Sequence, residues 1–228
     1  MKVYVGYDSR EDIAWQVCRH SLLRHAPGLE VYPLRQTTLR ELGLYTRPID
    51  TKASTEFSIT RFLTPYLAAS EGWSIFTDCD FVFTTDIRAL EKSLDASKAV
   101  HVVQHDYTPS LAVKMDGKAQ HTYPRKNWSS FIAFNGAHPD VKALTPSVVN
   151  SAEPAFLHRF SWTSDAAIGA LDLRWNFLVG EYPKPDQTPA AIHYTNGGPW
   201  FENHVDVDYG DLWLAERDAY MKASRAAA

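Results

Sequence analysis

An α/β fold, with a mixed, mostly parallel central sheet flanked by helices, is predicted for this chain by two observations. Short β-branched and apolar runs alternate with segments of helical periodicity from one end to the other. One of those runs, "WSIFTDCDFVF", is broken by two carboxylates where a strand of such a sheet would end. A length of 228 residues buries a sizeable core and suits one domain spanning 1–228.

The elements follow in order. "KVYVGYD" is a short strand with a polar end, and "SRED" offers a Ser9-x-x-Asp12 capping box for a helix. In that helix Ile13, Val17, Ser21 and Leu22 recur at helical spacing, with Ala14 and Cys18 widening the buried stripe. A strand is expected at "EVYPL", and Arg35 to Ser54 reads as irregular, broken by Gly43 and Pro48. "STEFSITRFLTPYLAAS" places Phe57, Arg61, Phe62 and Tyr66 three and four residues apart, which predicts a helix that Pro65 kinks or ends. "WSIFT" is a strand, "DCD" its polar end, "FVF" another apolar element and "DIRALEK" a turn of helix. Further strands are predicted at "AVHVVQH", "SSFIAFN" and "AAIHYT". Helices are predicted near Pro139 to Val149, Asp165 to Leu171 and Tyr209 to Ala223.

Charge narrows the partners. Lys and Arg number 23 against 27 Asp and Glu, a net charge of -4, with no basic block dense enough to follow a phosphate backbone, so nucleic acid is not an expected partner. Cys18 and Cys79 lie far apart in apolar surroundings, which suits reduced thiols. The opening "MKVYVGYD" lacks the features of a signal peptide, and no run approaches the roughly eighteen apolar residues of a membrane span. A cytoplasmic location is expected, with peripheral membrane contact left open.

In an extended chain Asp78 and Asp80 point to one side and Cys79 to the other. Both carboxylates can then face one point at the carboxyl end of a strand, where a divalent cation carrying a phosphate group could be held. A bare D-x-D is weak evidence alone, since a turn with one capping and one solvated Asp reads the same way. Far along the chain, "AAIHYTNGGPW" runs from a strand through His193 into Gly197, Gly198 and Pro199, a turn whose N–H groups could make an anion-binding hollow. His193 could add a nitrogen to the two oxygens, a donor set that favours Mn²⁺ or Mg²⁺. A core histidine beside a tight surface turn is the ordinary reading of each feature taken singly.

These segments, in the order "VYVGYDSRE", "TRFLTPYL", "FTDCDFVFTTDIRAL", "LDLRWNF" and "HYTNGGPW", resemble the small GT-A type glycosyltransferases. The resemblance is strongest to retaining family eight, which includes lipopolysaccharide galactosyltransferases and glycogenin. It implies a nucleotide-sugar site, with Gly6, Tyr7 and Asp8 near base and ribose, Arg61 at the donor sugar or phosphates, and Asp78, Asp80 and His193 around Mn²⁺. On the residues alone, Asp8 could equally cap a helix and Arg61 could pair with an acid. The chain departs from the family at Gly198, where a Lys usually precedes Pro-Trp, so that phosphate contact would fall to the N–H groups around Gly197 and Gly198. It departs again at Trp128-Ser129-Ser130, where the donor-sugar segment usually reads Asn-Ala-Gly. "TSDAA" only approximates the family's Asp-Gln pair, which makes Asp165 the catalytic nominee.

The implied activity is a metal-dependent, retaining transfer of a hexose from a nucleotide-diphosphate sugar, UDP favoured, to a glycan, lipid-linked saccharide or protein acceptor. Trp128 and Trp200 adjoin the matched motifs and are expected to face sugar, whereas His20, His25, His101, His105 and His158 have no partner at ligand spacing. Two other readings stand beside it. "DCDFV" fits the nucleophile motif of haloacid-dehalogenase-like phosphatases, with Asp78 attacking phosphorus, and a non-catalytic carbohydrate-binding protein would need the aromatics alone.

Overall fold

The computed structural model describes residues 1–50, 53–106 and 124–226. The chain opens with β1 (Lys2–Gly6), α1 (Asp12–His25) and β2 (Glu30–Leu34), continues through α2 (Gln36–Glu41) and α3 (Thr64–Leu67), and enters β3 (Trp73–Thr77) and β4 (Phe81–Phe83). There follow β5 (Val100–Val102), β6 (Phe131–Asn135), α4 (Pro139–Lys142), α5 (Pro146–Ser151), α6 (Pro154–His158), β7 (Ile168–Ala170), β8 (Phe177–Leu178), β9 (Ala191–His193) and α7 (Gly210–Ala226). Six strands form the main sheet in the order β2-β1-β3-β6-β5-β7, and β4-β9-β8 form a smaller one.

Within the main sheet only β6 runs against the rest. That reversal builds the site. Val5 near the end of β1 lies beside Thr77 at the end of β3, while Phe131 at the start of β6 pairs with the same Thr77. The Asp78 N–H extends this pairing, donating to the Ser130 carbonyl at 2.9 Å. Three connections therefore leave one sheet edge together, the edge at which open α/β sheets place their ligands.

The small sheet is buried on both faces, so its strands do not alternate apolar with polar. Phe81, Phe83 and Ala191 join the main core, while Val82 and Ile192 join a second cluster with Val17 of α1 and Trp213 of α7. Among the described residues no helix is long and apolar enough to cross a membrane.

Several local expectations are corrected. Asp8 rather than Ser9 is the cap: it accepts from the Arg10 N–H at 3.0 Å and opens a 3₁₀ turn, Ser9–Glu11, ahead of α1. The Ser9 hydroxyl instead reaches Glu56 at 2.5 Å. The supposedly irregular stretch contains α2, held by buried Leu39 and an Arg40 to Gln36 bond one turn apart. The long helix expected around Arg61 is a 3₁₀ turn, Thr60–Leu63, followed by α3, with Pro65 in the first turn where a missing N–H costs nothing. After Asp165 comes one 3₁₀ turn, Asp165–Ala167, and then β7 rather than a helix. Gly169 of β7 lies against the His101 ring so closely that a Cβ would overlap it, which ties this strand to β5.

Phe81 is fully buried against Phe83, Phe131 and the His193 ring. Phe81→Ala is expected to cost about 3–5 kcal/mol of stability, as for other buried Phe truncations, measured by urea denaturation.

Candidate functional site

The pairing of β4 with β9 sets Phe81 opposite His193, and the Tyr194 N–H donates to the Asp80 carbonyl at 2.9 Å. His193 is thereby delivered to the D-x-D segment, its ring stacked on Phe81 with centroids 4.2 Å apart. One ligand atom from each of Asp78, Asp80 and His193 lies within 4.8 Å of the others, and His193 Nε2 stands 3.3 Å from Asp80 Oδ2. Two carboxylate oxygens and one imidazole nitrogen converging on a point fit a divalent cation of the Mn²⁺ or Mg²⁺ class. The opposite ring nitrogen, Nδ1, is 2.9 Å from Asn176 Oδ1.

Arg61 lies behind Asp78. Its Nη1 is 2.9 Å from Asp78 Oδ1 and donates to the Ser129 carbonyl at 2.7 Å, while Nε donates to the Ser58 carbonyl at 3.1 Å. The guanidinium is buried over the rings of Phe76 and Phe57, so it is a fixed charge that orients one carboxylate. Next to it, burial and then the Arg61 charge push the His158 imidazole down to about 3, leaving it neutral 2.9 Å from Ser129 Oγ. Burial, with a smaller effect of His193, does the same to His105, also down to about 3. A third acid approaches from the other side: burial, then the charges of Asp80 and Asp8, push the Glu11 carboxyl up to about 7, against the opposing hydrogen bond from Trp200 Nε1 at 3.1 Å.

Neighbouring cavities with shared wall residues surround these groups. Arg61, Asp78, Asp80, Ser129, Ser130 and His193 line a cavity of about 130 Å³. Ser54, Thr55, Ser58 and His158 are shared with a cavity of about 700 Å³ walled by Arg10, Gln36, Tyr45 and Ile49. Glu11, Asp80 and Thr195 are shared with a pocket of about 60 Å³ beneath Gly197, Trp200 and Phe201.

The remaining predicted residues stand back from the cleft. Gly6 abuts the Phe57 ring, and the Tyr7 hydroxyl donates to Asp12 at 2.9 Å with Arg35 over its ring. Asp8 is fully buried; burial alone would raise its carboxyl, but bonds from the Arg10 side chain and the N–H groups of Arg10 and Glu56 hold it below its usual value. Trp128 turns its Nε1 to the His105 carbonyl at 3.0 Å, and Gly198 lies under the Trp200 ring. Asp165 is not brought to the cleft: its side chain is 86% exposed and paired with Arg125 at 2.5 Å.

Glu11, His158 and Asn176 are site residues that the sequence reading did not single out. Asn176 carried a signal, a lone amide inside the apolar run "RWNFLV" that burial would force into hydrogen bonds. Glu11 carried none, since it reads as part of a helix start.

Glu11 makes a stability prediction. Between the ordinary glutamate value of 4.5 and about 7 the folded protein retains a proton that the unfolded chain has released, so stability falls as pH rises through that window and levels above it. Thermal melts of chelator-treated protein are expected to follow this slope, and Glu11→Gln is expected to flatten it.

No protein-family model matches the chain. Protein CDI of Arabidopsis thaliana is 47% identical over 229 residues, covering 98% of this chain and 88% of its own length. Among solved structures, the bifunctional glycosyltransferase WbbM aligns over 95% of this chain with a TM-score of 0.61 at 16% identity, and the glycosyltransferase GlyE of Streptococcus pneumoniae TIGR4 over 95% with 0.63 at 15%. The chain spans 49% of WbbM and 59% of GlyE. Galactosyltransferase LgtC, solved with donor and acceptor sugar analogs, aligns over 96% of both chains with a TM-score of 0.54 at 9% identity. What is shared at such identities is the fold. The chain belongs to the family of Arabidopsis Protein CDI, and that family is built on the GT-A fold of glycosyltransferases resembling family eight.

Proposed function

We propose that this protein is a metal-dependent, retaining glycosyltransferase that moves a hexose from a nucleoside diphosphate sugar, with uridine as the base, to a hydroxyl of a glycan, lipid-linked saccharide or protein. The observation that carries this reading is the meeting of Asp78, Asp80 and His193 at one point in a cavity that shares four wall residues with a larger one, within a GT-A fold. Asp78, Asp80 and His193 would hold Mn²⁺ or Mg²⁺, and the bound cation would stabilise the charge that grows on the diphosphate as the glycosyl bond breaks. Arg61 fixes the direction of Asp78 before any ligand arrives, so the two carboxylates need little reorganisation on binding. The 700 Å³ cavity has the volume of a nucleoside site, with Gln36 and Tyr45 on its walls and Arg10 beside them. On the other side Trp200 and Phe201 offer apolar faces that would exclude water, which would otherwise hydrolyse the donor. Ser129 and Ser130 line the intervening cavity, where the donor sugar would lie.

The alternatives explain less. A phosphatase would need Asp78 as an attacking nucleophile, whereas its Oδ1 is engaged by buried Arg61 at 2.9 Å. A sugar-binding protein without chemistry gives no reason for two acids and an imidazole to converge. Calorimetry is expected to register uridine diphosphate binding with Mn²⁺ and little without it; no heat in either condition would reject the transferase. Asp80→Asn is expected to lower turnover about a hundredfold or more, read by release of the nucleotide from a UDP-sugar panel.

A further inference from the structure

Asn176 lies just ahead of β8, wholly buried, hydrogen-bonded to the segment before β6 at Ser130 and to His193 at the end of β9. The direction of its hydrogen bonds can be worked out from one end. The Asn127 carbonyl, presented by a residue in the left-handed conformation (φ 61°), can only accept. Ser130 Oγ is 2.7 Å from it and spends its single proton there. Towards Asn176 the same hydroxyl can then only accept, so the amide turns its Nδ2 to Ser130, at 2.9 Å. Asn176 Oδ1 must therefore face His193 Nδ1, at 2.9 Å, and an amide oxygen brings no proton. The proton of that bond resides on Nδ1. In a neutral imidazole this leaves Nε2 unprotonated, directed at Asp80 Oδ2 3.3 Å away. Two acceptors held face to face at that distance repel unless a proton or a metal cation lies between them.

We propose that Asn176 is a positioning residue for the metal centre: by accepting the Nδ1 proton it locks His193 in the tautomer whose Nε2 can serve as a ligand, and it ties that ring to the start of β6. The inference rests on the metal-dependent reading above. A purely structural bond would be satisfied by either tautomer of His193, whereas a chain that starts at a backbone carbonyl admits one.

The test compares Asn176→Leu, which removes the acceptor, with Asn176→Asp, which keeps it. Long-range ¹H–¹⁵N spectra of histidine-labelled, metal-free protein at alkaline pH are expected to show His193 protonated at Nδ1 in wild type and Asn176→Asp, and shifted towards the Nε2-protonated form in Asn176→Leu. Calorimetric Mn²⁺ affinity is expected to fall about 10- to 100-fold in Asn176→Leu, the range for partners of ligating histidines, and to stay near wild type in Asn176→Asp. An Nε2-protonated His193 in wild type would overturn the proposal, as would unchanged Mn²⁺ affinity in a folded Asn176→Leu or an Asn176→Asp as weak as Asn176→Leu. If Asn176→Leu does not fold, the wild-type spectrum and the Asn176→Asp affinity decide. Failure of the wild type to bind Mn²⁺ at all would strike the transferase reading instead, since the tautomer is read without metal.

Discussion

The meeting of His193 with the Asp78–Asp80 segment depends on the register of β4 against β9. Phe81 pairs with His193 and Phe83 with Ala191, so the imidazole arrives beside Asp80 and on the same side of the small sheet as the phenyl rings. A shift of one residue would exchange faces, sending His193 to the side where Ile192 packs beneath α7. Polarity cannot enforce that register, because both faces of the small sheet are apolar. Shape does. Phe81 and Phe83 fill one core, Val82 and Ile192 the other, and the Tyr194 hydroxyl fastens the strand end to the Tyr209 carbonyl at 2.7 Å. The convergence of Asp78, Asp80 and His193 is thus a by-product of hydrophobic packing between two clusters.

Charge then acts on what packing has placed. Asp78, Asp80 and Glu11 share one cleft, and Arg61 is a buried cation aimed at the first of them. A buried guanidinium with fixed bonds to the Ser129 and Ser58 carbonyls balances one carboxylate well and cannot turn to serve another. Burial first, and then the charge of Asp80, hold the Glu11 carboxyl up at about 7. On the proposed reading, the carboxylates of Asp78 and Asp80 beside the His193 imidazole would draw a divalent cation. His158 and His105, kept neutral by burial, add no competing positive charge.

How much of this could be read from the chain follows the range of each interaction. Asp78 and Asp80 were legible because their meaning is local: two acids at the end of an apolar run must find compensation wherever the strand ends. His193 was legible through the turn that follows it. Asp8 left two readings open, and the structure places it in the cap. Glu11 and Asn176 were not legible because their partners lie far off, Trp200 at a separation of 189 residues and Ser130 at 46. Asp165 reads either way, since Thr-Ser-Asp opens a surface turn as readily as a catalytic segment, and its exposed side chain pairs with Arg125. Strands of five residues with β-branched runs showed in the sequence, whereas β8, with two residues, has no period to detect.

The Gly198 departure from the family pattern has a steric logic of its own. Trp200 lies flat on the turn, so close to Gly198 that a Cβ there would run into the indole. A lysine at position 198 and this ring position exclude one another; the glycine and the tryptophan placement are a single choice. In return the indole packs against Tyr194 and Trp213 and donates to Glu11 at 3.1 Å, closing one wall of the cleft with an apolar surface. A diphosphate bound here, on the proposed reading, would meet the cation where related sites present an ammonium, since the Gly197 N–H already donates to the Tyr194 carbonyl at 2.7 Å. Its charge would be balanced chiefly at the Asp78, Asp80 and His193 end, so nucleotide affinity in this protein should depend on the divalent ion more steeply than in a site that keeps its lysine.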